Sequence, residues 1–118
     1  MNREWIRSYC LSLPHTTEQV QWGHDLVFKI GGKMYAAGPL EPPFDCCLSF
    51  KVTAEEFAEL CDHPGIIPAP YMARAQWVAL QDWDALPAAE LKRLIKQSYE
   101  LVFGKLTKQA QAELGRPR

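Results

Sequence analysis

Cysteine and histidine are the side chains of this chain that could act as nucleophiles or hold a metal ion. Cys61-Asp62-His63 combines a thiol, a carboxylate and an imidazole, and Cys46-Cys47 places two thiols side by side. Neither C-x-x-C nor H-x-x-x-H spacing, which would indicate a tetrahedral zinc site, occurs in the sequence. His24-Asp25 is a further acid and imidazole pair, but adjacent side chains generally point apart. We therefore predict no metal site, no cofactor and no catalytic residue, and we expect the protein not to be an enzyme.

Phosphate binding by clustered cations is a second kind of chemistry that the sequence could support. Lys29 and Lys33 flank Gly31-Gly32, Lys51 lies on the third predicted strand, and Arg74 precedes the predicted strand that contains Trp77. Lysine and arginine supply much of the phosphate contact in protein–DNA complexes. These four cations are our candidate nucleic-acid contacts. The alternative is that they are solubilising charges at strand ends, where lysine also discourages association between sheet edges.

The overall charge gives this interpretation no support. Thirteen basic and fourteen acidic side chains leave a net charge of −1, so no global field draws the protein to nucleic acid or to an anionic membrane. Any nucleic-acid binding has to use a local patch. A further basic stripe is formed by Lys92, Arg93, Lys96, Lys105 and Lys108. We interpret this stripe as a solvated helix face, since cations are favoured towards a helix C-terminus.

Aromatic side chains could line a ligand groove or stack on bases. Most are expected in the core, because a domain of this size needs the apolar area that they bury. Trp22 and Trp83 each lie in a polar stretch, so we predict that they are partly exposed and mark a ligand or partner surface. A small-molecule pocket between sheet and helices is a further alternative that rests only on aromatic content, and it leaves the ligand open.

A β-hairpin over residues 26–37 positions the first two lysines. Its loop, Gly31-Gly32, can adopt the positive φ that a two-residue hairpin turn requires. The expected pairs on the face towards the helices are Ile30 with Lys33, Phe28 with Tyr35 and Leu26 with Ala37. The other face is expected to hold Val27, Lys29, Met34 and Ala36.

Apolar periodicity and turn signals predict the remaining elements. They are a helix from the Asn2 cap to Pro14, a strand at Cys46 to Lys51, a helix from the Thr53-x-x-Glu56 capping box to about Asp62, a short edge strand at Ile66, a strand at Gln76 to Gln81, and a helix from Pro87 to Gly104. Residues 15–25 stay unassigned, although residues 17–21 could lie extended along a sheet edge. The order α-β-β-β-α-β-β-α predicts an α+β two-layer sandwich, with an antiparallel sheet covered on one side by helices. We expect a single domain over residues 1–118, with residues 105–118 as a partly ordered C-terminal tail.

The segment that opens the chain has no apolar region typical of a signal peptide. No run reaches the roughly 18 apolar residues of a membrane span. We therefore expect a cytoplasmic protein with no membrane partner, in which the four cysteines are free thiols. Cys46 and Cys47 should point to opposite faces of their strand.

Seven sequence blocks, taken in order and spacing, resemble the MmcQ/YjbR family. They are Leu13-Pro14, Trp22-Gly23, Val27-Phe28-Lys29, Gly32-Lys33-Met34-Tyr35-Ala36, Leu48-Ser49-Phe50-Lys51, Trp77-Val78 and Ser98-Tyr99-Glu100-Leu101-Val102. The resemblance implies a bacterial protein with a two-layer fold similar to type III secretion chaperones and to frataxin-like, or CyaY-like, proteins. The family is largely uncharacterised and has no agreed catalytic motif.

The resemblance also supplies the functional expectation. Members of the family are described as DNA-binding because their β-hairpins project like paired wings, which is an analogy of structure. We therefore expect a non-enzymatic DNA-binding module that uses hairpin wings. The alternative is a protein-interaction or chaperone-like adaptor that uses the sheet face or a strand edge. DNA and another protein are thus the two candidate partners.

Overall fold

The chain forms a six-stranded antiparallel sheet and four α-helices in a computed structural model, which describes residues 1–42, 44–70 and 72–115. In chain order the elements are α1 (Arg3–Ser12), β1 (Thr17–Gln21), β2 (Asp25–Ile30), β3 (Lys33–Pro39), β4 (Leu48–Lys51), α2 (Ala54–Cys61), β5 (Ile66–Pro68), a 3₁₀ turn (Ala73–Ala75), β6 (Trp77–Leu80), α3 (Ala88–Gly104) and α4 (Lys108–Leu114). Within these described residues, no helix is long and apolar enough to cross a membrane.

Both predicted helix caps are confirmed. Asn2 accepts a hydrogen bond from the Trp5 backbone amide through its side-chain oxygen at 2.9 Å. Thr53 and Glu56 form the full capping box, in which the Thr53 hydroxyl accepts from the Glu56 amide at 3.2 Å. Each cap satisfies an amide that has no partner inside its helix and contributes about 1 kcal/mol. The sequence therefore sets where α1 and α2 begin.

The sheet has the strand order β1-β2-β3-β4-β6-β5, with the helices packed on one of its faces. On the strands, the core beneath the helices is built from Leu26, Phe28, Ile30, Leu48, Phe50, Ile66, Val78 and Leu80. On the helices, the core includes Ile6, Cys10, Leu91, Leu94, Ile95 and Val102. The predicted α+β class, element order and one-sided helix layer are confirmed. The structure adds β1, in the unassigned segment, and α4, within the predicted tail, of which residues 116–118 lie outside the described residues.

The central hairpin has the predicted loop but not the predicted register. Gly31 and Gly32 have φ of +59° and +79°, and Ile30 pairs with Lys33 as expected. A β-bulge then gives β3 one extra residue, so that Phe28 pairs with Ala36 rather than with Tyr35, and Leu26 with Gly38 rather than with Ala37. The two predicted pairs beyond the loop are therefore wrong, because a bulge places one residue outside the ladder.

The bulge also changes which side chains face the helices. Tyr35 and Ala36 both enter the core beneath the helices, where we had expected Ala36 on the other face. The extra residue lets the Tyr35 hydroxyl lie 2.9 Å from Thr16 Oγ1 and donate to the Cys10 carbonyl at 3.3 Å. Ala37 instead pairs with Val27, and its side chain lies on the face of the sheet opposite the helices.

The second face of the sheet carries no helix among the described residues, and we call it the open face. Loops cover part of it, with Ala69, Trp77 and Ala79 buried in a small second cluster. Cys46 packs into this cluster, whereas Cys47 packs against the core under the helices. The predicted divergence of the two neighbouring thiols is thus confirmed, but both cysteines precede β4, which begins at Leu48 and is shorter than predicted.

Helix α3 is tied to the sheet through two buried residues. The Ser98 hydroxyl donates to the Tyr35 carbonyl at 2.6 Å and accepts from the Lys51 amide at 3.0 Å. Tyr99 donates to the Pro14 carbonyl, and its ring meets Tyr35 edge-on with centroids 5.4 Å apart. Such aromatic pairs add about 0.5–1.5 kcal/mol beyond the area that they bury. These contacts fix β3 and β4 beneath the C-terminal half of α3.

Candidate nucleic-acid interface

The four predicted cations lie at the same end of the sheet. Lys29 is near the end of β2, Lys33 begins β3, Lys51 ends β4, and Arg74 shortly precedes β6, which starts opposite Lys51. Because β2, β3, β4 and β6 are successive neighbours, these positions span about 15 Å across the strands. We call this end of the sheet the basic end. The topology therefore brings together residues that are up to 45 positions apart in the sequence.

Three of these cations reach the surface. Lys33 and Arg74 are exposed, and Lys29 is half-buried. The Lys29 ammonium donates to the side-chain carbonyl of Gln19 on the neighbouring strand at 3.0 Å. That bond orients Lys29 along the sheet while leaving further donors on its ammonium for another acceptor.

Lys51 differs from the other three because it is only 7% exposed. Its ammonium donates to the Ala75 carbonyl. Burial lowers the pKa of Lys51 from its usual value, and the neighbouring Lys105 lowers it further. Lys51 therefore adds positive charge to the basic end but offers little surface for direct contact with a phosphate.

Lys105 is a further cation at this end, and it was not among the four candidates. It follows the last residue of α3 and is exposed. The sequence contains it within the basic stripe that we interpreted as a solvated helix face. Only the packing of α3 across β4 could assign it to the basic end, since that contact joins residues far apart in the chain.

The carboxylates that form ion pairs lie elsewhere. In the described ranges, the ion pairs are the N-terminus with Asp84, Arg7 with Glu18, His24 with Asp25, and Arg93 with both Glu56 and Glu90. None of these pairs includes a lysine or arginine of the basic end. Within the described part of the chain, the cations of the basic end therefore take part in none of the direct ion pairs with carboxylates.

The hairpin loop beside these lysines is braced by the C-terminal segment. A Cβ built on Gly31 would lie 2.6 Å from Leu106 Cδ1 and 3.3 Å from Leu114 Cδ1. Leu106 itself is only 7% exposed. The loop is thus packed on one side against α4 and the turn before it, and it is not a wing that projects freely.

Trp22 and Trp83 are not brought together. Trp22, with φ of +55°, is 63% exposed in the turn between β1 and β2, at the opposite end of β2 from Lys33. Trp83 is half-buried and packs against the core on the helix side. Their predicted partial exposure is confirmed, but they form no common surface with each other or with Lys33.

A groove of about 600 Å³ lies on the open face and runs from the end of the sheet opposite the basic end to Met34, which pairs with Lys29. Its floor includes Met34, Ala37 and Ser49 from β3 and β4. Its walls come from the β1–β2 turn, the proline-rich loop after β3 and the loop after β5. We had expected any pocket between the sheet and the helices, so the groove was missed. The small side chains of Ala37 and Ser49 were its only local signal.

The thiols and imidazoles do not assemble into a reactive cluster. No group of three or more histidine, cysteine, aspartate or glutamate side chains suited to a metal ion occurs in residues 1–42, 44–70 and 72–115. Burial raises the pKa of Cys10 and of Cys47 to about 12, which keeps both as thiols at neutral pH. His24 Nδ1 lies 3.1 Å from Asp25 Oδ1, so this adjacent pair does meet, at the surface.

Comparison with known proteins adds the family. A model of the YjbR family matches residues 11–101. The chain belongs to the YjbR family. Its fold is similar to that of protein DR2400 of Deinococcus radiodurans, which carries the family domain DUF419. The TM-score is 0.86 at 34% identity, over 98% of this chain and 89% of the other.

A second solved structure has a similar fold. A protein from Pseudomonas syringae superposes with a TM-score of 0.71 at 26% identity, over 86% of this chain and 98% of that one. A search of curated proteins gives no match. The predicted membership of the YjbR family is confirmed, and neither solved relative is described by a ligand or an activity.

Proposed function

We propose that this YjbR-family protein is a cytoplasmic, non-enzymatic module that binds the phosphate backbone of DNA with the basic end of its sheet. The observation that carries the proposal is the convergence of three lysines from the adjacent strands β2, β3 and β4 with Arg74 from the 3₁₀ turn before β6 and Lys105 from the end of α3. Clustered cations release counterions from DNA when they neutralise its phosphates, and this release drives binding that does not depend on sequence.

The electrostatics of the basic end support an anionic partner. Lys51 and Lys105 lie close enough for the second to lower the pKa of the first. A phosphate near both would offset their mutual repulsion, because an opposite charge favours the ammonium form. The exposed side chains of Lys33 and Arg74 are the direct contacts in this proposal, with Lys29 beside them.

The structure favours a different binding mode from a pair of projecting wings. The Gly31-Gly32 loop is held against Leu106, so it cannot swing independently into a DNA groove. We propose instead that the rigid end of the sheet lies along the backbone. Contacts of this type position a protein on DNA without reading its bases.

The test is a DNA-binding titration at several salt concentrations, using a fluorescent duplex and the intact protein. Each neutralised phosphate contributes about −0.9 to the slope of log affinity against log salt. A Lys29→Gln, Lys33→Gln double variant should therefore bind more weakly and show a slope reduced in magnitude by about 2.

The matched control is the Lys92→Gln, Lys96→Gln double variant, which makes the same change in net charge on the exposed face of α3. It should retain most of the affinity and slope. Absence of binding at low salt would refute the proposal. An equal loss in both double variants would show that only net charge matters and would also refute it.

A protein-interaction or chaperone-like adaptor is the second candidate, favoured by the outer edge of β1. Among the strands of the described residues, β1 pairs only with β2, and Val20 on it is 54% exposed. An unpaired edge can accept a strand from a partner. A molar mass that rises with concentration in size-exclusion chromatography with light scattering, and that Val20→Lys abolishes, would support this role. A constant monomer mass together with salt-dependent DNA binding would favour the first proposal.

A further inference from the structure

The groove on the open face has the opposite electrostatic character to the basic end. Asp25, Glu41 and Asp45 line it, together with His24, and no lysine or arginine of the described ranges does so. Asp25 begins β2, and the other two acids lie in the loop after β3, so all three are at the far end of the strands from Lys29 and Lys33. Asp25 and Lys29 are four residues apart on β2, which corresponds to about 14 Å along the strand.

Apolar side chains form most of the remaining surface of the groove. Met34 rises from the floor, and Met72 lies on the wall after β5. Trp22 stands at the rim with 63% of its surface exposed. Methionine adapts its shape to different ligands, and an exposed indole can cover a cation or an apolar group. The groove thus combines an adaptable apolar surface with a carboxylate-rich mouth.

We propose that this groove is a second binding site, and that it takes a small amphipathic organic cation. The ammonium or guanidinium group lies among Asp25, Glu41 and Asp45, and the apolar body packs on Met34 and Met72. The volume of about 600 Å³ falls within the range of small-molecule sites, which are mostly apolar with a few polar groups that set orientation. The site goes beyond the proposed DNA contact and shares none of its residues.

Charge complementarity selects this ligand class over the alternatives. A nucleic acid or another anion would meet three carboxylates in the groove and be repelled. A neutral apolar molecule would gain the methionine surface but leave the carboxylates uncompensated. A cation with an apolar body satisfies both parts at once, and the binding energy is shared between desolvation of the apolar body and attraction to the acids.

The experiment uses three matched probes with the intact protein: phenethylamine, phenethyl alcohol and phenylacetate. They share one aromatic body and differ in the charge of the end group. The methyl signals of Met34 and Met72 in ¹H–¹³C NMR report on the groove itself. We expect saturable shifts with phenethylamine at a Kd of about 1 mM, as is reasonable for so small a ligand. The alcohol should bind at least about threefold more weakly, and the carboxylate should bind weakest.

A pair of double variants tests the role of the acids. Glu41→Gln with Asp45→Asn should weaken phenethylamine about three- to tenfold and leave the alcohol unchanged. Glu59→Gln with Asp62→Asn removes two exposed acids around the end of α2 and should change neither probe. Equal binding of amine and alcohol, equal losses in both variants, shifts confined to methyls outside the groove, or no saturation of the two methionine signals would each overturn the proposal.

Discussion

Replacing Gly31 with alanine is expected to destabilise the fold by about 2 kcal/mol, twice the effect of the same change at Gly32. Both glycines have positive φ, so an alanine at either site raises the free energy of the folded state by about 1–2 kcal/mol. Part of this cost is offset, because the unfolded chain has less conformational entropy with alanine than with glycine. Only Gly31 lies under the C-terminal segment. The difference between the two variants therefore isolates the packing of the hairpin loop against Leu106 and Leu114.

The magnitude of that difference follows from the contact distances. A Cβ on Gly31 would lie 2.6 Å from Leu106 Cδ1, whereas nothing lies within 4 Å of a Cβ on Gly32. Restoring an ordinary carbon–carbon contact requires Leu106 to move by about 1 Å. Because Leu106 is 7% exposed, it has to leave its rotamer minimum, at a cost of about 0.5–1.5 kcal/mol. We therefore expect Gly31→Ala to cost about 1 kcal/mol more than Gly32→Ala.

Urea denaturation followed by far-ultraviolet circular dichroism measures both variants. The extra loss corresponds to a melting temperature lower by about 4 °C in a chain of this size. A Leu106→Ala background provides the second comparison, since the clash disappears there and the two glycine variants should become equivalent. Equal stability of the Gly31 and Gly32 variants in the parent chain would refute the packing of α4 on the loop, and with it the braced hairpin.

Three further outcomes are expected from Ser98, Gly38 and Cys10. Ser98→Ala should cost about 2–4 kcal/mol in urea denaturation, because it leaves a buried carbonyl and a buried amide of the sheet without their partner. The exposed control Ser12→Ala should stay within about 0.5 kcal/mol. Gly38→Ala should cost about 1–3 kcal/mol, since its Cβ would meet the Cys47 carbonyl oxygen at 2.5 Å and backbone cannot move aside cheaply; a melting temperature equal to the parent's would contradict this. Burial raises the pKa of Cys10 from 9.0 to about 12, so its contribution to stability is full below pH 9 and is lost as the pH rises towards 12. Parallel stability curves for the parent and Cys10→Ala above pH 9 would argue against that pKa.

Local patterns in the sequence were sufficient for most of the secondary structure. The Asn2 cap, the Thr53 capping box and the Gly31-Gly32 loop each fix a boundary through bonds or dihedral angles within four residues of one another. The apolar stripe of α3 and the alternation in the strands then predict a single helix layer on one face. The segment of β1 was not assigned, because its outward and polar side chains show neither the two-residue alternation of a strand nor the apolar stripe of a helix.

The register of β3 could not be predicted in the same way. The bulge at Tyr35 has no glycine or proline to signal it. It is stabilised by contacts of the Tyr35 hydroxyl with Thr16 and Cys10, which lie 19 and 25 residues away. Because one extra residue reverses the face of every later side chain, this bulge decided that Ala36 belongs to the core and Ala37 to the open face.

The sequence by itself determined the family, the fold class and which cations were candidates, because residue types and short-range spacing carry that information. The tertiary structure alone decided how those side chains can be used. Antiparallel order brought Lys29, Lys33, Lys51 and Arg74 to one end of the sheet, and burial withdrew Lys51 from the surface. It also separated Trp22 from Trp83 and formed a groove on the open face whose acidic side chains lie at the opposite end. Burial, charge proximity and cavity shape depend on neighbours remote in the chain, and only the folded chain sets them.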